Sequence, residues 1–158
     1  MAAQAKDKLT PEGERFFKEI EKLKKLSVRV GFQQGAAQYE ETGADILDIA
    51  TFNELGTSTS PSRPFMAMSV DENADKINAF LKNQLKLLAQ GKTTAEGILK
   101  AIGVFQKGLI QEKIQNGDFE PNAPSTIKKK GSDHPLIDTG LMRQSVNFVV
   151  TAKGGNDE

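Results

Sequence analysis

Few residues in this chain carry chemistry, and the first to test is Gly91-Lys92-Thr93-Thr94. It imitates the end of a phosphate-binding loop, whose backbone amides and lysine cradle phosphates. Such a loop needs a glycine five residues before Gly91, where Lys86 stands, and a strand before it, where this chain has a helical stripe. A helix end followed by a new helix cap accounts for the tetrapeptide better. His134, between Asp133 and Pro135, is the single imidazole. A neighbouring carboxylate can raise a histidine toward a pH switch, but the sequence reads it as a surface residue of a loop. No Ser or Thr stands in a nucleophile-elbow context and the histidine has no partner positioned by spacing, so nucleophilic and acid–base catalysis lack their parts. The chain reads as a non-enzyme. With no Cys and one His, neither a disulfide framework nor a thiolate or His-rich metal site can form. Glu40, Glu41, Asp45 and Asp48 offer oxygen donors without the alternating spacing and central glycine of a calcium loop. They read as a solvated acidic face, and no metal or cofactor is expected.

Charge is more informative in its distribution than in its sum. Lys plus Arg and Asp plus Glu each number 21 of 158 residues, so no global field draws the chain to nucleic acid or an acidic membrane. Yet residues 31–62 hold Glu40, Glu41, Asp45, Asp48 and Glu54 and no Lys or Arg, while Lys128, Lys129 and Lys130 form one basic run. Three readings follow. The acidic segment of one copy could meet the basic loop of another; both could be ordinary solvated patches; or the lysines could add salt-dependent contact to nucleic acid.

These residues must be positioned by elements whose periods are visible. Thr10 and Pro11 read as cap and first position of a helix with Phe16, Phe17, Ile20, Leu23 and Leu26 at helical spacing. The period then drops to two over Val28, Val30 and Phe32, as in a half-buried strand. After a loop over 33–44, Asp45 to Leu55 reads as a second helix that stops at Gly56. Turn formers over 57–64 precede a helix expected to run unbroken from about Pro64 to Gln90, with Gly91 past its end. Thr93 and Glu96 fit a capping box for another long helix to Gly117. Its interior glycines, Gly97, Gly103 and Gly108, mark either close approach of another backbone or local imperfection that packing tolerates. Residues 118–135, with prolines at 121, 124 and 135, read as a long loop with one helical turn at 125–130. Asp138 or Thr139 then caps a short helix through Ser145, and Val146, Phe148 and Val150 alternate as a closing strand. The expectation is a single α/β (α+β) domain: a small, mostly antiparallel sheet packed by two long helices and shorter ones, with termini 1–9 and 153–158 flexible.

The absence of Cys suits a cytosolic compartment. The first residues carry Lys6, Asp7 and Lys8 with no apolar run after them, so no secretory signal is visible, and no apolar stretch reaches the length of a membrane span.

Two segments carry more than composition. The first is Asn53-Glu54-Leu55-Gly56-Thr57 followed by Pro61-Ser62-Arg63-Pro64-Phe65-Met66. The second is Pro124-Ser125-Thr126-Ile127-Lys128-Lys129-Lys130-Gly131 followed by Pro135-Leu136-Ile137-Asp138-Thr139-Gly140-Leu141-Met142. With the strand at Val28 to Phe32, this order resembles the tail-completion and neck proteins of tailed bacteriophages, the head–tail joining family, over about residues 28–151. A departure is the aromatic commonly found before the Pro121 to Pro124 stretch, which here is Phe119-Glu120. The resemblance implies a structural virion protein, assembled in the host cytoplasm, that forms a homo-oligomeric ring in the neck with six copies favoured. Its implied partners are the head–tail connector and the tail terminator or tail tube, with DNA passing through the channel and no membrane. It implies no nucleotide, metal or substrate. The fold and subunit-interface motif would comprise Gly56, Arg63, Pro64, Phe65, Lys128, Lys129, Lys130, Gly131, Leu136, Asp138, Thr139, Gly140 and Leu141. Arg63 is the residue suited to clamp a carboxylate or a helix end, in its own chain or a neighbouring one. The 118–135 loop would then be an arm that orders on assembly. A tail terminator ring is the nearest alternative, and a small nucleic-acid-binding or regulatory protein using Lys128 to Lys130 is the alternative from another class.

Overall fold

The computed structural model describes residues 8–40, 42–130 and 140–154. The Thr10 hydroxyl accepts from the Gly13 amide (3.1 Å) and Pro11 takes the first position of α1 (Pro11–Lys25). Glu12 and Glu14 lie in its first turn and Lys22, Lys24 and Lys25 in its last, matching both ends of the helix dipole. The chain passes directly into β1 (Leu26–Gly31), which pairs antiparallel with β2 (Asn147–Ala152), Val28 opposite Val150 and Val30 opposite Phe148. Two strands alone are marginal in water, so this sheet depends on the helix beneath it.

That helix is α5 (Ala95–Asn116), which packs against both strands and against α1, α3 (Phe65–Asp71), α4 (Ala74–Ala89) and α7 (Leu141–Ser145). Toward its C-terminal end, Ile110 and Ile114 join Phe65, Met142, Val146 and, from α2 (Ile46–Leu55), Ile46 and Ala50 in the buried core. Further along, Phe105 stacks on Phe80 of α4, with ring centroids 4.3 Å apart and planes within 3°. The expected α/β (α+β) class is what the fold shows: seven helices and a two-stranded antiparallel sheet among the described residues.

Three local expectations are corrected. The helix expected to run unbroken from Pro64 to Gln90 divides at residues 72–73. Asn73 turns its side-chain amide onto the Ser69 carbonyl (3.0 Å) and its backbone N–H onto Val70 (3.2 Å), replacing the regular helical bond. The capping box expected at Thr93 and Glu96 is displaced by one residue. Thr94 is the cap, accepting from Gly97 (3.1 Å), and the Ala95 amide donates instead to the carboxylate of Glu19 on α1 (2.7 Å). This bond, with Lys22 beside it, holds the Glu19 pKa below its ordinary 4.5. A depressed carboxylate stabilises the fold above its unfolded value, and that contribution is lost as the pH falls through the lowered one. Finally, α7 begins after Gly140, which is left-handed (φ 77°) and makes no side-chain cap bond. Asp138 and Thr139, the caps expected from sequence, lie outside the described residues.

The interior glycines of α5 have different causes. A Cβ on Gly103 would stand 2.3 Å from a ring carbon of Phe148, so the close approach there is by an aromatic ring of β2 and not by backbone. Gly97 faces the Thr93 hydroxyl in the same way (2.6 Å), whereas a Cβ on Gly108 would meet nothing within 4 Å. The consequence is a sign reversal within one helix. Gly103→Ala should destabilise by about 1–3 kcal/mol through overpacking, and Gly108→Ala should stabilise by about 0.4–1 kcal/mol. Urea unfolding of the two variants checks this, and equal effects would contradict it.

Candidate functional site

The candidate site is the junction where the first quoted motif meets the stretch leading into the second. Asn53 and Glu54 end α2 with their side chains engaged on backbone. The Asn53 amide donates to the Ile49 carbonyl (2.8 Å), and the Glu54 carboxylate accepts from the Met66 and Ala67 amides (2.9 and 3.0 Å). Glu54 thereby caps α3 across the turn, supplying acceptors that Pro64, the residue before the helix, cannot. The Ser62 hydroxyl donates to the Glu54 carbonyl (2.6 Å), and the Arg63 amide to the Asn53 carbonyl (2.6 Å). Gly56 sits at φ 76°, where a Cβ would stand 2.7 Å from the Ser62 amide nitrogen, so no side chain fits. Within the turn, the Thr57 hydroxyl accepts from the Thr59 and Ser60 amides.

Arg63 is the centre of the junction. It is 7% exposed, and its guanidinium donates through Nε to the Glu120 carbonyl (3.0 Å) and through Nη2 to the Pro121 carbonyl (3.4 Å). Burial pushes its pKa down, and the nearby Glu120 carboxylate acts in the opposite direction. The group stays charged, since a guanidinium does not lose its proton in proteins. Next to it, Phe65 is fully buried and meets Phe32 edge-to-face (5.9 Å, 85°). Behind the 117–123 segment, Lys113 pairs with Glu72 (2.6 Å) and stands 5.7 Å over the Phe119 ring. Phe119 is thus held between Lys113 and the core.

The structure unites some of the expected site residues and leaves others apart. Gly56, Arg63, Pro64 and Phe65 form one unit, and Leu141 packs half-buried on the core beside Met142. Lys128 is exposed on α6 (Pro124–Lys130), whose backbone also includes Lys129 and Lys130. Gly131, Leu136, Asp138 and Thr139, together with His134, lie outside the described residues. The long loop expected at 118–135 is corrected over its first part. Arg63 fastens residues 120–121 and Asn122 is buried, while the helical turn expected at 125–130 is present as α6.

The acidic segment also differs from its reading as a solvated face. Asp45 caps α2, accepting from Leu47 (2.9 Å) and from the Gly35 amide (2.7 Å), and Glu54 caps α3. Of the carboxylates in 31–62, Glu40 and Asp48 are the exposed ones among the described residues. Gly91-Lys92-Thr93-Thr94 joins α4 to α5 with no strand before it. Among the described residues no helix is long and apolar enough to cross a membrane. Sequence reasoning missed the capping role of Glu54, although the residue lay in the quoted motif. Its signal is the distance of twelve residues to a helix start that has no capping side chain of its own.

Compared with protein-family models, with curated proteins and with solved structures, the chain matches none.

The junction generates a direct test. Replacing Arg63 with Met removes a charged donor from two part-buried hydrogen bonds and should cost about 1.5–3 kcal/mol. Arg63→Lys should recover little of that, because an ammonium lacks the planar fork. Denaturant unfolding measures both, and a neutral Arg63→Met would show that the clamp is dispensable.

Proposed function

We propose that this chain is a structural subunit of the neck of a tailed bacteriophage, completing the tail and joining it to the head connector as a ring. The observation that carries the reading is the meeting of Asn53 to Phe65 with Glu120 and Pro121 through Arg63. The first segment thus holds the stretch that leads into the second, and Phe65 of the first shares one buried cluster with Met142 of the second. Their polar side chains serve backbone groups, and the junction holds no nucleophile beside a base. That is what a rigid assembly subunit requires, and a catalytic site requires the opposite.

In this role the ring is homo-oligomeric, with six copies favoured, and a head-to-tail interface closes it when the rotation per subunit divides the circle. Its partners are the connector on one face and the tail terminator or tube on the other. The exposed Lys128 favours one competing reading, contact with nucleic acid.

Light scattering of the purified chain over a concentration series, followed by titration with duplex DNA at low and moderate salt, separates the two. The neck reading predicts a closed oligomer of defined mass and no steep salt-dependent DNA affinity. A monomer at every concentration that binds DNA with a steep salt slope would overturn it.

A further inference from the structure

The fold leaves two apolar surfaces uncovered, and they complement each other. The first is on α2, Ile-Leu-Asp-Ile-Ala-Thr-Phe-Asn-Glu-Leu, which is apolar around most of its circumference. Ile46 and Ala50 are buried on one side, while Phe52 (52% exposed) and Leu55 (72% exposed), one turn apart, face solvent. A helix apolar on all sides is normally covered on all sides. Asp48 is exposed one turn before Phe52, and residues 31–62 contain no Lys or Arg.

The second surface is on α1. No residue of this helix is fully buried, and Leu9 and Phe17, each about half exposed, line an open groove of about 470 Å³. Lys18, Lys22 and Lys25 flank the groove with Glu14 and Glu21; Glu21 is matched by Lys24 at 2.6 Å and Lys22 by Glu19 at 3.0 Å, which leaves Lys18 and Lys25 against Glu14. The groove therefore has an apolar floor and a mainly cationic rim, where α2 has an apolar ridge and an acidic shoulder.

Their positions suit a join between unlike ends. Glu19 of α1 binds the first residue of α5, whereas Ile46 and Ala50 of α2 pack with Ile110 and Ile114 toward its other end. A helix of 22 residues spans about 33 Å. Pairing α2 with α2 about a two-fold axis would set acidic surface against acidic surface, and pairing unlike patches avoids this.

We propose that the Asp48, Phe52 and Leu55 ridge of α2 docks in the Leu9 and Phe17 groove of a second copy, joining copies head to tail. This rests on the ring reading above and supplies its contact. Phe52 and Phe17 are the anchors, and the lysines of α1 orient the acidic segment.

The chain contains no cysteine, so Glu14→Cys on the groove and Thr51→Cys, exposed beside Phe52, report on these positions alone and leave both anchors in place. The two variants, one carrying a mass tag, are mixed at the highest soluble concentration and oxidised. The expected main product is the 14-to-51 disulfide, and a chain carrying both substitutions should give a ladder of covalent multimers. Links only between identical positions, or none, overturn the docking. Leu55→Asp, at an exposed position, should raise the concentration for half-association at least about tenfold with unfolding unchanged; unaltered association would also overturn it. If the unmodified chain associates without a 14-to-51 link, the docking is wrong and the ring reading stands. A chain that remains monomeric at every concentration overturns the docking, and overturns the ring reading as well when it also binds DNA with a steep salt slope.

Discussion

A buried guanidinium is the constraint on which the rest of this structure depends. Removing Arg63 from water is tolerable only if its donors find acceptors, and the fold supplies the carbonyls of Glu120 and Pro121. Those carbonyls belong to a segment with three prolines nearby and little regular structure, which has few means of holding its own place. Arg63 therefore converts a stretch that would otherwise be a free connection into part of the core wall. Because Arg63 is itself held by Asn53, and Glu54 caps α3, the end of one helix, the start of another and the 117–123 segment become one rigid unit.

A second pattern is that ends of helices are capped from other elements. Glu54 of α2 serves α3, and Glu19 of α1 serves α5. Each such bond fixes the relation between two elements as well as satisfying an amide, which gives a chain with few aromatics a way of specifying its packing by polar contacts. Carboxylates that look like surface charge in the sequence are in part the fasteners of the fold. Some large apolar side chains remain outward, notably Phe52 and Leu55 on one helix and Phe17 on another.

Much of the fold was legible from periodicity. α1 with its Thr10 cap, the switch to a strand (expected after Leu26 and found one residue earlier), the second helix from Asp45 and the closing strand follow the spacing of apolar residues. The break at Asn73 left one signal that was passed over, the lapse of the apolar stripe between Met68 and Ile77, while its cause, a side chain competing for the Ser69 carbonyl, has no signature in the spacing. The shift of the α5 cap to Thr94 was hidden for another reason: its second acceptor lies 76 residues away on α1. At the candidate site the motif residues were legible as a group, including Arg63 as a clamp. That its acceptors are backbone carbonyls of the same chain, and that Glu54 caps the following helix, are products of tertiary approach that no local spacing encodes.

The central claim is a place in the neck of a tailed virion. The most direct measurement is immunogold electron microscopy of tailed particles from cells that express this chain, using an antibody raised against the purified protein. The account predicts label at the junction between head and tail on intact particles, and on the head-proximal end of isolated tails. Label that stays with soluble protein, or that decorates heads or tail tips and spares the junction, would contradict it.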